Sequence, residues 1–230
     1  MALINVLRER VQTGSIAQYE RLVRFVAERA RQDAEASKWS ARVAIGSEGR
    51  SFSFINSVEG FADLSANEQA EGMIRRLYGE SDGNAILEGL GQAVESEANI
   101  VLQAREDLGG AVLQVETPPP LALVTRLRPT PGGDAGCEEL IRKVIEAAAK
   151  VDDDRRYSVA QPLIGELGTY TVVQSVTDAA QLDKQSAVPE LLIEAFGAGE
   201  GESIFREGTA NIQEAQAELS VLREDLSNLA

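Results

Sequence analysis

The hydrophobic and polar positions of this chain follow a pattern that occurs twice, with the second copy 118 residues after the first. Residues 39–58 read WSARVAIGSEGRSFSFINSV, and residues 157–176 read YSVAQPLIGELGTYTVVQSV. Both stretches contain an aromatic residue and a serine, an apolar run, a glycine-bearing turn and a segment of alternating hydroxyl and apolar residues. Alternation with a period of two is typical of strands, so each copy is predicted to contain a β-hairpin.

The match between the copies extends without a gap over residues 1–112 and 119–230. Both copies end on the tetrapeptide Arg-Glu-Asp-Leu, at 105–108 and 223–226. A gapless match of this length indicates a duplication. The sequence therefore predicts two similar domains, 1–112 and 113–230, each long enough to bury a small core.

Each copy opens with an apolar run that predicts a strand, over 3–10 and over 121–128. An amphipathic helix is predicted to follow in both copies, because apolar residues recur at helical spacing. In the first copy this helix is expected over 15–36, with Ser15 as its cap, and in the second copy it is expected to begin at a cap on Asp134. The hairpin comes next, so both copies share the order strand, helix, strand, strand.

The remaining third of each copy is predicted to be mostly helical. A short helix and a longer one are expected over 61–78 and 179–196, each stopping at a glycine, and a further helical piece begins near Gly83 and Gly201. The last segment has helix-forming residues. If it were a helix, each sheet would have only three strands, and a strand of the kind found at the centre of a sheet would be exposed at the edge. A final strand is therefore predicted in each copy, over 97–105 and 215–223.

The order strand-helix-strand-strand-helix-strand is the ferredoxin-like pattern. Together with the aromatic residue that opens the second strand, the glycine-bearing hairpin and the closing Arg-Glu-Asp-Leu, it resembles the dimeric α/β-barrel superfamily, in particular the NIPSNAP and antibiotic-biosynthesis monooxygenase families. The resemblance implies an α+β fold in which two tandem ferredoxin-like βαββαβ domains pack sheet to sheet as an intramolecular dimeric α/β barrel. It also implies a monomer with an internal pseudo-two-fold axis, or a weak homodimer.

Composition excludes several kinds of chemistry. The chain has no histidine, which excludes His-ligated haem, the common zinc sites and nucleophiles activated by histidine. One cysteine, Cys137, excludes an internal disulfide. The run Asp152-Asp153-Asp154 is interpreted as a solvated loop rather than a cation site. We therefore predict no cofactor, no bound metal and no catalytic constellation, although the superfamily includes haem enzymes as well as cofactor-free oxygenases.

Charge and hydropathy limit the partners. The net charge is −15, and an anionic nucleic acid or membrane surface would repel such a protein. No apolar run approaches the length of a membrane span or forms a signal peptide. The sequence thus predicts a cytoplasmic protein with a small-molecule ligand and neither nucleic acid nor membrane as a partner.

Two arginines at equivalent positions of the first strand are candidate binding residues. Arg8 and Arg126 are predicted to lie on a central strand of each sheet, from which a guanidinium group can reach a pocket and bind a carboxylate or phosphate. The alternative is a structural ion pair with Glu48, Glu166 or an acid of the closing tetrapeptide.

Aromatic side chains of the hairpin are the second set of candidates. Trp39, Tyr157, Phe54 and Tyr170 are predicted either to line an apolar cavity between sheet and helices or to pack in the core.

These observations leave three hypotheses about function. The main one is a binding protein that encloses a small apolar or anionic ligand in the duplicated barrel, without catalytic apparatus and therefore not an enzyme. An alternative is a cofactor-independent monooxygenase-like or isomerase-like enzyme that acts on an aromatic substrate. A further alternative is a structural or interaction protein with a packed interior. An open cavity that contains a repeated arginine would favour the first two.

Overall fold

A computed structural model describes residues 3–45, 50–66, 70–111, 117–151 and 154–229. The strands of this part of the chain are β1 (Leu3–Val11), β2 (Ser40–Ile45), β3 (Arg50–Val58), β4 (Val94–Ala104), β5 (Leu121–Pro129), β6 (Arg156–Ile164), β7 (Tyr170–Val176) and β8 (Ile212–Leu222). The helices are α1 (Ile16–Ala30), α2 (Phe61–Ala66), α3 (Ala70–Tyr78), α4 (Glu80–Ala93), α5 (Asp134–Lys150), α6 (Ala179–Asp183), α7 (Val188–Phe196) and α8 (Ala198–Thr209).

The strands close into an antiparallel barrel with the order β1-β3-β2-β8-β5-β7-β6-β4, in a mixed fold of helices and strands. Two antiparallel pairings join the earlier strands to the later ones, namely β2 with β8 and β4 with β6. Closure leaves none of the described strands as an open edge. The predicted final strands are confirmed as β4 and β8, because each pairs on both sides.

Some predicted boundaries differ from the structure. The first helix ends at Ala30 rather than at residue 36, because Asp33 accepts a hydrogen bond from the backbone N–H of Glu35 and so favours a turn. Asp134 is the first residue of α5, and its cap is Gly133. The predicted turn at 46–49 lies outside the described residues, whereas Gly165 and Gly168 of the second hairpin adopt φ of 97° and 73°.

Helices cover the outside of the barrel, and the main apolar clusters lie beneath them. In the first half, Tyr19 and Val23 of α1 pack on Phe52 of β3. In the second half, Leu191 and Leu192 of α7 pack with residues of α5. Where helices cover the strands, as in β3, the outward side chains are apolar and buried. Within the described ranges, no helix is long and apolar enough to cross a membrane.

The closing tetrapeptides cross from one half of the chain to the other. Leu108 follows β4 but lies in an apolar cluster with Cys137 and Tyr170 of the second half. Leu226 follows β8 but lies in a cluster with Tyr19 of the first half. Both leucines are almost completely buried, so each half completes the core of the other.

Candidate functional site

The interior of the barrel contains a cavity of about 110 Å³. Alternate residues of the strands point into it, since side chains along a strand face opposite sides of the sheet. Apolar residues such as Val6, Ile55 and Val124 form much of its wall. The charged residues on the wall are Arg8, Arg42, Arg126, Glu166 and Glu218. The cavity is thus an apolar space with a few charged groups.

Arg8 lies on this wall and is mostly buried. Its Nη1 atom is 3.5 Å from Oε1 of Glu166, which belongs to the β6–β7 turn of the other half. Its Nε atom is buried and has no hydrogen-bond partner among the described residues. Burial lowers the pKa of Arg8, and the charge of Arg126 lowers it further, while Glu218 and Glu166 oppose this effect. The residue is therefore a cavity residue that is also ion-paired.

Arg126 lies on the same wall and has a closer partner. Its Nη2 atom donates a hydrogen bond of 2.5 Å to Oε1 of Glu218 on β8, and both side chains are mostly buried. Both arginines lie on the cavity wall and form ion pairs. Arg8 pairs with Glu166, one of the predicted partners, whereas Arg126 pairs with Glu218, which the sequence did not predict. The predicted partner Glu48 lies outside the described residues.

Arg42 of β2 was missed by the sequence analysis. It is 5% exposed, and the described residues give it neutral partners: Nε donates to Ser220 Oγ at 3.0 Å, Nη1 to the carbonyl of Pro119 at 2.9 Å and Nη2 to the carbonyl of Ser220 at 3.1 Å. Burial lowers its pKa to about 10. In the sequence, Arg42 is the one charged residue of the apolar run SARVAI. A buried charge without a counter-charge is costly, so an arginine in such a run indicates a functional role.

The four aromatic candidates lie on the other face of the sheet, away from the two arginines. Trp39 and Phe54 pack against the apolar cluster beneath α1, and the indole N–H of Trp39 donates to the carbonyl of Leu226 at 2.9 Å. Tyr157 packs in the cluster beneath α7, and Tyr170 packs beneath α5. The structure therefore does not place these aromatic residues on the cavity wall, and the alternative interpretation as core residues describes their contacts.

Other polar candidates lie outside the barrel. Cys137 is fully buried, and burial raises the pKa of its thiol to about 11, so the thiolate form is disfavoured. Asp154 is exposed, while Asp152 and Asp153 lie outside the described residues. Across the described ranges, no group of three or more Cys, Asp or Glu side chains is placed to hold a metal ion.

No family model matches the sequence, and no curated protein matches it. Solved structures do share its fold. A candidate monooxygenase from Fusobacterium nucleatum is 11% identical, with a TM-score of 0.59 over 96% of this chain and 93% of that chain. An anthrone oxidase-like protein is 15% identical, with a TM-score of 0.59 over 97% and 92% of the two chains. A chlorite dismutase from Candidatus Nitrospira defluvii, solved with imidazole, is 9% identical, with a TM-score of 0.53 over 98% and 93%.

At these low identities the comparison shows a shared fold, a closed antiparallel barrel covered by helices. The expectation of a binding protein without catalytic apparatus is wrong, because proteins that share this barrel over almost their whole length are described as a candidate monooxygenase, an anthrone oxidase-like protein, a chlorite dismutase and a candidate chlorite dismutase. The inference that the protein is not an enzyme is wrong for the same reason. It rested on the lack of a paired acid/base constellation in the sequence, and side chains that the fold brings together from distant segments escape such a criterion.

Proposed function

We propose that the protein is a cofactor-independent, monooxygenase-like enzyme that acts on a small aromatic substrate inside the barrel. The observation that carries the proposal is the pair of Glu218 and Arg126 on a largely apolar cavity wall, with two further arginines on the same wall. A carboxylate in this position can accept a proton, and guanidinium groups can stabilise the phenolate or enolate that results. Solved structures of the same fold that are described as candidate monooxygenases and as anthrone oxidase-like support it.

The proposed reaction converts an electron-rich phenol and dioxygen into a quinone and water. The phenolic ring gives four electrons to dioxygen, one oxygen atom becomes bonded to a ring carbon, and the other leaves as water, so no outside reductant is needed. Glu218 takes the phenolic proton, and its neighbour Arg126 stabilises the phenolate that results. A cavity of about 150 Å³ holds one benzene molecule, so a cavity of about 110 Å³ limits the substrate to a single ring at most.

Haem chemistry, which the superfamily includes, does not fit this chain. Histidine is absent from the sequence, and Cys137 is fully buried. The hydroxyl groups of Tyr19 and Tyr170 donate hydrogen bonds to Glu9 and Glu138. These residues are therefore not placed to ligate haem iron. We assign no step of the reaction to haem.

We infer that the barrel is a tandem of two ferredoxin-like βαββαβ units, residues 1–112 and 113–230. The strand order β4-β1-β3-β2 in the first unit matches β8-β5-β7-β6 in the second, which supports this inference. The gapless sequence offset supports a duplication as its origin. The narrower resemblance to NIPSNAP proteins stays a prediction.

Oxygen uptake tests the proposed function. The full chain, stripped of metal and flavin, is incubated with hydroquinone and ¹⁸O-labelled dioxygen. We expect 2-hydroxy-1,4-benzoquinone with one labelled oxygen, and the second labelled oxygen in water. Glu218→Gln should lower kcat by about 10²–10⁴-fold, which is the usual contribution of a general base. Arg128→Gln is the control, because Arg128 forms an exposed ion pair with Glu214.

Two outcomes contradict the proposal as stated. Oxygen uptake no faster than in buffer would exclude an oxygenase for this class of substrate. Exchange of substrate protons with solvent, without oxygen uptake, would favour the isomerase-like alternative.

A further inference from the structure

The inner wall of the barrel differs in charge between its two halves. In the first half, Ser53 of β3 pairs in register with both Arg8 of β1 and Arg42 of β2. Residues directly opposite each other in antiparallel strands point to the same face, and neighbouring strands lie about 4.8 Å apart. The backbone positions of the two arginines are therefore about 10 Å apart. A serine hydroxyl lies between them on the cavity wall.

The equivalent positions of the second half have a different composition. Arg126 pairs in register with Thr171, and Thr171 pairs with Ala160, so the counterpart of Arg42 carries no charge. Arg126 is neutralised by Glu218, whereas the first-half counterpart of Glu218 is Ile100. The second-half wall therefore carries an arginine that is neutralised by a glutamate, whereas the first-half wall carries excess positive charge.

The guanidinium groups of the first-half wall have hydrogen-bonding and charge interactions that the described residues do not satisfy. Arg8 Nε is buried without a hydrogen-bond partner, although its charge is held at 3.5 Å by Glu166. Arg42 is almost fully buried and donates to a hydroxyl and two carbonyl oxygens rather than to a carboxylate. Buried cations and buried unpaired donors are costly unless an acceptor, preferably an anion, meets them.

Glu166 is placed so that an incoming anion can replace it. Its side chain is 44% exposed, and the distance of 3.5 Å to Arg8 is that of an ion pair rather than a short hydrogen bond. It lies in the turn between β6 and β7, where Gly165 and Gly168 have positive φ. The exposed carboxylate of Glu166 can therefore move toward solvent, and Arg8 then becomes available to a ligand.

Resting on the enzymatic role proposed above, we infer that Arg8, Ser53 and Arg42 form a subsite for the carboxylate of a single-ring aromatic acid, which displaces Glu166 from Arg8. The ring then occupies the apolar part of the cavity. Its far side faces Arg126 and Glu218, which are left for the reacting end of the substrate. The subsite would select phenolic acids over neutral phenols, since charge-assisted hydrogen bonds to arginine are stronger than neutral ones.

Calorimetry of the full chain with benzoate and with benzamide tests the subsite without turnover. The two probes have the same ring and nearly the same shape, but benzoate alone is an anion. We expect benzoate to bind about tenfold more tightly, which is the usual effect of one or two hydrogen bonds to a charged group. Arg42→Gln should remove this preference, and Arg128→Gln should retain it.

Each alternative result overturns the subsite. Equal affinity for the two probes, binding of neither, or an undiminished preference in a folded Arg42→Gln variant would contradict it. If Arg42→Gln does not fold, Ser53→Ala replaces it. That variant should reduce the preference, and an unchanged preference would contradict the subsite.

Oxygen uptake with hydroquinone and with 2,5-dihydroxybenzoate separates this inference from the proposed function. A higher kcat/KM for the acid, lost in Arg42→Gln, supports both. Equal kcat/KM for the two substrates would support the proposed oxygenase function and contradict the carboxylate subsite. An Arg42-dependent preference for benzoate without oxygen uptake from either substrate retains the subsite and overturns the proposed reaction.

Discussion

Nη2 of Arg105 lies 2.7 Å from Oε1 of Glu138, and this ion pair joins the end of β4 to α5 in the other half of the chain. The equivalent pair, Arg223 with Glu20 of α1, has the same distance of 2.7 Å. Each arginine belongs to a closing Arg-Glu-Asp-Leu tetrapeptide, and the leucine of the same tetrapeptide enters the opposite core. The same motif therefore makes contacts between the two halves at two equivalent places.

We predict that the exchanged leucines are strongly stabilising. Leu226→Ala should lower the free energy of unfolding by about 2–5 kcal/mol, because it leaves a cavity in a fully buried cluster. The change should also alter the fluorescence of Trp39, the single tryptophan of the sequence, which packs on that cluster. Urea unfolding measures the first effect. Leu167→Ala, at a side chain 62% exposed, is the control and should stay within about 0.5 kcal/mol of wild type.

Two glycines of α4 should respond in opposite directions to the same substitution. A Cβ atom at Gly83 would lie 2.8 Å from the backbone Cα of Arg75 in α3, so Gly83→Ala should cost about 1–3 kcal/mol. A Cβ atom at Gly91 meets nothing within 4 Å, and Gly91→Ala should stabilise the helix by about 0.5–1 kcal/mol. Thermal unfolding of both variants measures the difference. Equal effects would contradict the close approach of α3 and α4.

The ion pair inside the barrel should contribute more to stability than an ion pair on its surface. Arg126→Gln leaves Glu218 mostly buried without its cation and should lower stability by about 1–3 kcal/mol. Arg128→Gln breaks a pair with Glu214 in which both side chains are about half exposed, and it should cost about 0–1 kcal/mol. Comparison of the two variants by denaturant unfolding tests the assignment. Similar losses would place Arg126 among the surface pairs.

Asp225 should make stability depend on acid pH. Hydrogen bonds from Arg223, and then from Arg24, hold its pKa well below the ordinary value of 3.8, although partial burial opposes them. A carboxyl whose pKa is lower in the folded state stabilises the fold above its ordinary pKa, and this stabilisation is lost as the pH falls below that value. Asp225→Asn should therefore flatten the acid side of the curve of unfolding free energy against pH. Parallel curves for variant and wild type would contradict this.

The protein is predicted to sediment as a monomer or a weak dimer. The barrel closes within one chain through the pairings β2–β8 and β4–β6, so a second chain is not required to cover those strands. Sedimentation at several concentrations measures this. A dimer that resists dilution would contradict the prediction.

The sequence by itself determined the elements and their order. The offset of 118 residues places strand, helix and hairpin at equivalent positions in both halves, and the structure agrees. The argument that an exposed central strand is unfavourable predicted β8 correctly, although IQEAQAELSVL has many helix-forming residues. Local patterning suffices for these features, because period and turn residues are properties of short segments.

Only the tertiary structure decided which face of each strand lines the cavity. In β3, Phe52 and Phe54 face the helices, whereas Ser53 lies on the cavity wall. Alternation separates the two sets, but it does not say which set faces the cavity. The role of Arg42 also depends on distant residues, because its partners Pro119 and Ser220 reach it through the pairing of β2 with β8. Pairing of strands so far apart in the chain depends on how the whole barrel closes, and a pattern read within one segment does not contain it.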